Sequence, residues 1–162
     1  MKLMAKKSSS EKPVGGKSIQ NRKARFDFEL LDKYEAGVVL VGSEVKSIWL
    51  GRANLTDAYV DIRSDEGWLI NADVEPYEHS SHYQPERRRD RKLLLHRKEL
   101  DMILRRSREK GLTIVPLAIY FKNGKVKVEI ALARGKREYD KRHSIAEKET
   151  RREVDRMRKD HL

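Results

Sequence analysis

Positive charge dominates the composition: 37 Lys and Arg residues stand against 26 Asp and Glu residues in 162 positions, which gives a net charge of +11. This charge favours nucleic acid as a partner, and the lack of a membrane-spanning stretch or signal-peptide core predicts a cytoplasmic protein with no membrane partner. The absence of cysteine excludes disulfides, thiolate zinc sites and cysteine nucleophiles.

The first fifty residues divide into an arm, a strand region and a short helix. Residues 1–24 are rich in Lys, Ser and Gly and poor in aliphatic side chains, so we expect a flexible basic arm. Residues 25–41 alternate apolar and polar positions, which predicts one long strand bent at Gly37, or two short strands. Residues 43–51 space their apolar side chains as a short helix does, with Gly51 as its stop.

The middle of the chain predicts two hairpins separated by a loop and a helix. Two alternating runs flank a predicted four-residue loop at 64–67, and a basic loop follows over residues 76–92. Residues 97–111 have the apolar stripe of an amphipathic helix. Two further strands meet at Asn123-Gly124, a strong hairpin signal. The expected fold is mainly β with helices: an OB-like antiparallel β-barrel with a flanking amphipathic helix.

The barrel is predicted to span residues 25–133 and to be followed by a basic C-terminal tail, 134–162. The tail has few aliphatic side chains, so burial cannot offset the entropy of ordering it. Ser144 and Glu147 have the S-x-x-E spacing of a capping box, which predicts a helix start at Ser144. We therefore expect a tail that is disordered when free and becomes helical against a partner.

Catalytic and metal-binding patterns are weak. Residues 16–18 read G-K-S, but the first glycine of a phosphate-binding loop would fall on Glu11, so we expect no nucleotide site. His79 and His82 have a metal-ligand spacing without a third ligand, and we read them as surface histidines. No nucleophile–base pair is recognisable, so we expect no catalytic residue, metal or cofactor. Histidine-dependent RNA cleavage remains an alternative.

Basic runs and one acidic residue are the candidate RNA-binding features. Residues 87–92, the start of the tail and the arm are each basic; each run alone is compatible with a solvated face. Three such zones in one short chain favour phosphate contacts, and an OB barrel can grip A-form RNA by shape. Glu35 is either a surface acid paired with Lys or Arg, or an acceptor for RNA base-edge or 2′-hydroxyl donors.

Several ordered motifs resemble one known family. They are E-A-G at 35–37, G-S-E-V-K-S at 42–47, R-K-L-L-L at 91–95, Y-F-K-N-G-K at 120–125 and A-R-G-K-R-E-Y-D-K-R at 133–142. In this order and spacing, over about residues 20–160, the chain resembles the SsrA-binding protein (SmpB) family, the partners of tmRNA in trans-translation.

The resemblance implies a non-enzymatic RNA-binding adaptor. Its OB-like barrel would bind the tRNA-like domain of tmRNA and deliver it to stalled 70S ribosomes. Its tail would become helical in the decoding centre, against 16S rRNA, and in the empty mRNA channel. Charged tmRNA would connect it indirectly to elongation factor Tu and alanyl-tRNA synthetase.

The resemblance also implies individual contact residues. The tmRNA-contacting glutamate of the family falls on Glu35, and two further contacts fall on Leu94 and His96. Leu94 could equally belong to the core. Phe26 and His96 stand where some relatives have His and Asn. Further tmRNA contacts are expected from Arg22, Lys23, Arg25, Arg89, Arg91, Lys92, Lys122 and Asn123. Ribosome contacts are expected from Gly135, Lys136, Arg137, Tyr139, Asp140, Lys141, Arg142, Arg151 and Arg152, with Tyr139 stacking on a ribosomal base.

Two other functions remain open from the sequence. The chain could be a general OB RNA-binding protein that recognises no particular RNA, or a ribonuclease. Purely electrostatic binding does not distinguish one folded RNA from another at matched salt, so a competition experiment between structured RNAs separates the first alternative from tmRNA binding. Incubation with labelled RNA tests the second.

Overall fold

The computed structural model describes residues 17–80, 83–109 and 111–160. Residues 1–16 of the predicted arm, and His82, lie outside the described residues. The secondary structure elements are, in chain order, β1 (Ile19–Gln20), α1 (Arg22–Asp27), β2 (Phe28–Val38), α2 (Gly42–Trp49), β3 (Ala53–Asn54), β4 (Tyr59–Arg63), β5 (Glu66–Ile70), β6 (Asp73–Val74), β7 (Arg91–Leu94), α3 (Arg97–Ser107), β8 (Leu112–Lys122), β9 (Lys125–Gly135) and α4 (Glu138–Asp160).

The main sheet is antiparallel, with the strand order β1-β8-β4-β5-β7-β2-β9. Strands β8 and β9 also pair with each other, so the pairings from β8 through β4, β5, β7, β2 and β9 return to β8. Strands β3 and β6 form a separate small pair. The predicted antiparallel β fold with flanking helices is confirmed, while the closed OB-type barrel stays a prediction.

A tight turn connects the two strands within each of the hairpins β4–β5 and β8–β9. Asn123 and Gly124 both adopt positive φ, at 51° and 72°, as the predicted two-residue turn between β8 and β9 requires. Ser64 and Asp65 also have positive φ, at 49° and 59°. They alone connect β4 to β5, because Glu66 already pairs with Arg63 and Gly67 with Ile62. The predicted four-residue loop at 64–67 is therefore wrong: the turn has two residues.

The core lies between the sheet and the helices α2 and α3. The amphipathic helix predicted at 97–111 is present as α3, which ends at Ser107 and buries Leu100 and Ile103. Helix α2 buries Ile48 in the same cluster. Apolar side chains of the strands fill the rest of this core, among them Val60, Leu69, Leu93, Ile114, Val128, Ile130 and Leu132.

The end of the predicted arm is ordered. Asn21 is buried and its side-chain amide donates to the carbonyls of Leu55 (3.0 Å) and Pro116 (2.9 Å). Its Oδ1 accepts the Ala24 N–H at 3.1 Å and so caps α1. Residues 17–24 therefore belong to the folded domain, contrary to their predicted flexibility, because one Asn satisfies buried backbone groups from two distant segments.

Helix α4 begins earlier than predicted. It starts at Glu138, so Ser144 lies inside the helix and does not cap it. The Ser144 hydroxyl donates to the Asp140 carbonyl at 3.0 Å, one turn back in the same helix. Within the tail, residues 138–160 form this helix, and disorder of the tail in the absence of a partner stays a prediction. The base of the helix contacts Asp27 of α1, as described below.

A buried ion cluster centred on Glu44 ties α2 to the start of β7. The carboxylate accepts from Arg91 Nε at 2.7 Å, from Arg89 Nε at 3.2 Å and from the Val41 N–H at 2.9 Å. Arg91 is only 1% exposed and also donates to the Ala72 carbonyl at 2.8 Å. The predicted RNA contact by Arg91 is therefore wrong for this conformation, because its guanidinium is enclosed. The predicted loop at 76–92 ends where Arg91 enters β7.

Charge and burial shift the pKa of Glu44 in opposite directions. Burial alone would raise the pKa of Glu44, but hydrogen bonds from Arg89, Val41 and Arg91, with the positive charge of Arg91, hold that pKa below its ordinary value of 4.5. The folded state therefore favours the ionised carboxylate. Its contribution to stability is complete above about pH 4.5 and is lost as the pH falls through the lowered pKa.

We expect Glu44→Gln to destabilise the fold by about 3–5 kcal/mol near neutral pH, because it leaves the buried guanidinium of Arg91 and the partly buried one of Arg89 without their carboxylate. The difference in unfolding free energy from the wild type should shrink as the pH falls below 4.5, where Glu44 itself becomes protonated. Urea unfolding over this pH range measures both effects. Glu66→Gln, which removes an exposed pair with Lys92, is the control and should cost below about 1 kcal/mol. A pH-independent gap would contradict the assignment.

Candidate nucleic-acid interface

A surface groove of about 950 Å³ collects four of the predicted RNA contacts: Glu35, Lys92, Leu94 and His96. It lies where β2 pairs with β7, with Gly37 opposite Leu94. A Cβ at position 37 would lie 3.2 Å from the Leu94 Cβ, so glycine lets β2 pass close to that side chain. The turn between β8 and β9 contributes Gly124 to the other side.

Leu94 is a surface residue. Strand alternation in β7 turns Leu93 into the core, where it is 3% exposed, and leaves Leu94 53% exposed in the groove. The alternative that Leu94 is a core residue is therefore excluded. His96, at the start of α3, is also exposed, and its backbone N–H donates to the Glu99 carboxylate at 3.4 Å.

Glu35 is held by two neighbours on β8. The Tyr120 hydroxyl donates to one carboxylate oxygen, and Lys122 Nζ lies 3.3 and 3.4 Å from the two oxygens. Partial burial would raise the pKa of Glu35, but the hydrogen bonds from Tyr120 and Lys122, with the charges of Lys122 and Lys127, lower it below 4.5. The groove therefore presents an ionised carboxylate whose charge is partly compensated. The predicted pairing with a lysine is present; contact with RNA donors stays a prediction.

Tyr120, which contacts Glu35 from beside the groove, is a residue that sequence reasoning missed. It is 85 positions from Glu35, and the two meet because β9 pairs with both β2 and β8. Burial, the hydrogen bond to Glu35 and the negative charge of that carboxylate raise the pKa of Tyr120, so its hydroxyl remains a donor. The sequence feature that could have drawn attention to Tyr120 is its position in the Y-F-K-N-G-K motif.

The groove carries mixed charge. Lys92 pairs with Glu66 at 3.0 Å, and Arg97 lies 3.8 Å from Asp65. Lys125 and Lys127 line the side formed by β9. Donors and acceptors therefore alternate around the exposed Leu94 side chain, an arrangement suited to base edges and 2′-hydroxyls as well as phosphates.

The other predicted tmRNA contacts lie outside the lining of the groove. Arg22, Lys23 and Arg25 are exposed on α1, and Arg25 lies 3.9 Å from Glu129. Lys122 approaches the groove through its contact with Glu35. Asn123 occupies the adjacent turn. Arg89 is partly buried in the Glu44 cluster.

The described residues contain little that suggests another site. No group of three or more His, Asp or Glu side chains is placed there to hold a metal ion. His79 lies beside Tyr77, with ring centroids 5.5 Å apart. Lys17, from the G-K-S sequence, donates its backbone N–H to the Trp49 carbonyl at 3.4 Å. None of the helices in this part of the chain combines the length and apolar character needed to cross a membrane.

Comparison with known proteins identifies the family. The family model described as SmpB protein matches residues 18–160. The chain belongs to the SmpB family. The SsrA-binding protein of Thermobifida fusca is 53% identical over 154 residues, covering 94% of this chain and 96% of that protein. The SsrA-binding protein of Streptomyces avermitilis is 56% identical over 137 residues, covering 85% of this chain and 77% of that protein.

A solved SmpB-family structure has the same fold. It comes from the work "tmRNA-SmpB: a journey to the center of the bacterial ribosome" and is 43% identical to this chain, with a TM-score of 0.64. The match covers 79% of this chain and 94% of the solved one. At this identity, the likeness extends beyond the fold to the family itself.

The SmpB-family tail motif lies at the base of α4. Gly135 closes β9, and the next six predicted contacts continue from Lys136 to Arg142 into the first turns of α4. Lys141 lies 3.3 Å from Asp27, and Arg142 pairs with Glu138 at 3.1 Å. The backbone of Tyr139 is in the first turn, and its side chain lies outside the described residues. Arg151 and Arg152 are exposed farther along the helix.

Tyr120→Phe should raise the pKa of Glu35 towards 4.5, because it removes the strongest hydrogen bond that favours the ionised carboxylate. The pKa can be measured from the carboxyl carbon of Glu35 by NMR titration. Tyr59→Phe, at an exposed tyrosine of β4, is the matched control and should leave the titration unchanged. An unshifted Glu35 titration in Tyr120→Phe would show that the hydroxyl does not hold the carboxylate in solution.

Proposed function

We propose that this chain is an RNA-binding adaptor of trans-translation, which binds the tRNA-like domain of tmRNA and delivers it to stalled ribosomes. The observation that carries the proposal is the groove itself: in a chain of the SmpB family, it brings Glu35, Lys92, Leu94 and His96 together on one surface. The relatives named SsrA-binding protein, and the solved tmRNA-SmpB chain, support the same partner.

The groove supplies selectivity that a basic surface alone would lack. An ionised carboxylate repels phosphate, so Glu35 favours RNA only where a base-edge or 2′-hydroxyl donor meets it. Lys92 and Lys127 supply nearby positive charge for the backbone, while Leu94 offers an apolar surface to an unstacked base. This combination favours a defined RNA structure over RNA in general.

The tail acts as the ribosome-binding part of the proposed adaptor. Beyond its base, α4 is exposed along its whole described length and carries Arg151 and Arg152 on a charged surface suited to ribosomal RNA. We propose that it occupies the decoding centre and the empty mRNA channel. Residues 1–16 of the arm add positive charge to the RNA-binding domain, and elongation factor Tu and alanyl-tRNA synthetase connect only through charged tmRNA.

A ribonuclease fits the groove less well than a binding protein. A general base works best when its pKa lies near the operating pH, whereas the pKa of Glu35 is moved further below it. His96 and His79 lie in different segments, at α3 and near Tyr77. We propose a non-enzymatic protein that works in the cytoplasm, and intact labelled RNA after incubation is the expected result.

Glu35→Gln tests the specific RNA contact. If the carboxylate accepts RNA donors, binding to the tRNA-like domain should weaken by about 1–3 kcal/mol, the range for a hydrogen bond to a charged group. Titration against the tRNA-like domain and against an unrelated folded RNA, at the same salt concentration, measures affinity and preference together. Glu29→Gln, exposed on the same strand, is the control. Unchanged or tighter binding by Glu35→Gln would contradict the proposed site.

A chain that stops after Lys136 tests the division of labour. This cut keeps all of β9 and the hydrogen bond from the Lys136 N–H to the Asp27 carbonyl, so the RNA-binding domain should fold. We expect the shortened protein to bind the tRNA-like domain within about twofold of the full chain, because the groove residues are retained. It should fail to support peptide tagging on stalled ribosomes. Tagging at the full-chain level would remove the tail from the mechanism.

A further inference from the structure

Asp27, the last residue of α1, holds the base of α4 through two different groups. Its backbone carbonyl accepts the Lys136 N–H at 2.9 Å, just before the helix begins. Its carboxylate lies 3.3 Å from Lys141 Nζ, in the first turn of the helix. Because one contact precedes α4 and the other lies within it, the two together fix the direction in which the helix leaves the domain.

Lys141 differs from the cation beside it. Its side chain is 35% exposed and faces Asp27, whereas the side chain of Arg142 is 76% exposed and pairs with Glu138 within the helix. Ser144 lies one turn after Lys141, and its hydroxyl oxygen is 3.2 Å from Lys136 Nζ. Lys141 and Ser144 therefore form the face of α4 that meets the domain, while Arg142 faces solvent.

The direction of α4 is set near its beginning. From Ile145 to Asp160, each residue is exposed. Packing along this long segment cannot orient the helix, since the described domain does not cover it. Among the hydrogen bonds and ion pairs of the described residues, the contacts of Asp27 with Lys136 and Lys141 connect the start of the helix to α1.

We infer that Lys141 is a positioning residue for the proposed adaptor: through Asp27, it sets the direction of the tail and does not itself contact ribosomal RNA. This inference rests on the proposed function of the tail. The Lys141 side chain is only 35% exposed and its ammonium is paired with Asp27, so a phosphate would compete with that carboxylate. Separation of this partly buried pair would free the base of the helix. Arg142, which faces solvent, is the cation available to an external phosphate.

A charge exchange separates the two roles of Lys141. Asp27→Lys and Lys141→Asp should each lower peptide tagging on stalled ribosomes about fivefold, because each replaces an attraction with a repulsion. The double variant Asp27→Lys/Lys141→Asp restores an opposite-charge pair in reversed order. Its tagging should return to within about twofold of the wild type if the pair acts within the chain.

Two further variants control for net charge and for folding. Glu29→Lys combined with Lys141→Asp has the same net charge as the exchanged pair, but Glu29 is exposed on β2 and cannot replace Asp27; it should not restore tagging. Asp27→Asn keeps the backbone acceptor and the side-chain shape, so it should fold normally and lower tagging about twofold to threefold. Affinity for the tRNA-like domain should stay within about twofold of the wild type in all variants, since Asp27, Glu29 and Lys141 do not line the groove.

The outcomes distinguish this inference from the proposed function. Recovery of tagging by Asp27→Lys/Lys141→Asp, without recovery by Glu29→Lys combined with Lys141→Asp, supports the positioning role of Lys141. If the exchanged pair folds, binds the tRNA-like domain and still tags as poorly as Lys141→Asp, then Lys141 contacts the ribosome and the inference is wrong. Tagging at the wild-type level by Asp27→Lys or Asp27→Asn also overturns the inference. The same holds if Glu29→Lys combined with Lys141→Asp recovers tagging as well as the exchanged pair does. Failure of the wild-type protein to support tagging would instead overturn the proposed function.

Discussion

The buried pair between Glu44 and Arg91 is the constraint on which the RNA-binding surface depends. It connects the beginning of α2 to the beginning of β7, and Arg91 reaches on to the Ala72 carbonyl. Strand pairing with β5 and β2 aligns β7 itself, and the ion cluster adds a directional restraint where the chain enters the strand, which non-directional hydrophobic contacts cannot supply. Lys92 and Leu94 follow in the same strand, so their placement in the groove depends on a buried ion pair as well as on strand pairing.

Local periodicity predicted most of the sheet and α3, because alternation and helical spacing reflect which face of an element is buried. It failed where one side chain satisfies groups far away in the sequence. Asn21 resembles part of a polar arm until Leu55 and Pro116 are folded against it, and Arg91 resembles a surface cation until Glu44 is placed beside it. The prediction at Ser144 failed for the opposite reason. Its capping pattern is local in the sequence, whereas the helix begins at Glu138, six residues earlier.

The candidate interface was predicted in part. Family motifs picked out Glu35, Leu94 and His96 individually, and the structure brings these three into one groove. The hydrogen bond from Tyr120 to Glu35 could not be predicted, since the cross-strand register that joins these residues depends on β9 lying between two partners. Residue identity could therefore be foreseen, whereas the charge state and orientation of the carboxylate required the pairing of three strands.

The exposed length of α4 makes it a lever. Its 23 residues extend about 35 Å from a base held at Asp27, at the usual rise of a helix. At that length, a rotation of about 10° at the base moves the far end by roughly 6 Å, a distance comparable to one helical turn. The positions of distant side chains such as Arg158 therefore depend on how firmly the contacts of Asp27 hold the angle of the helix at its base. Small changes in that angle become large displacements at the far end.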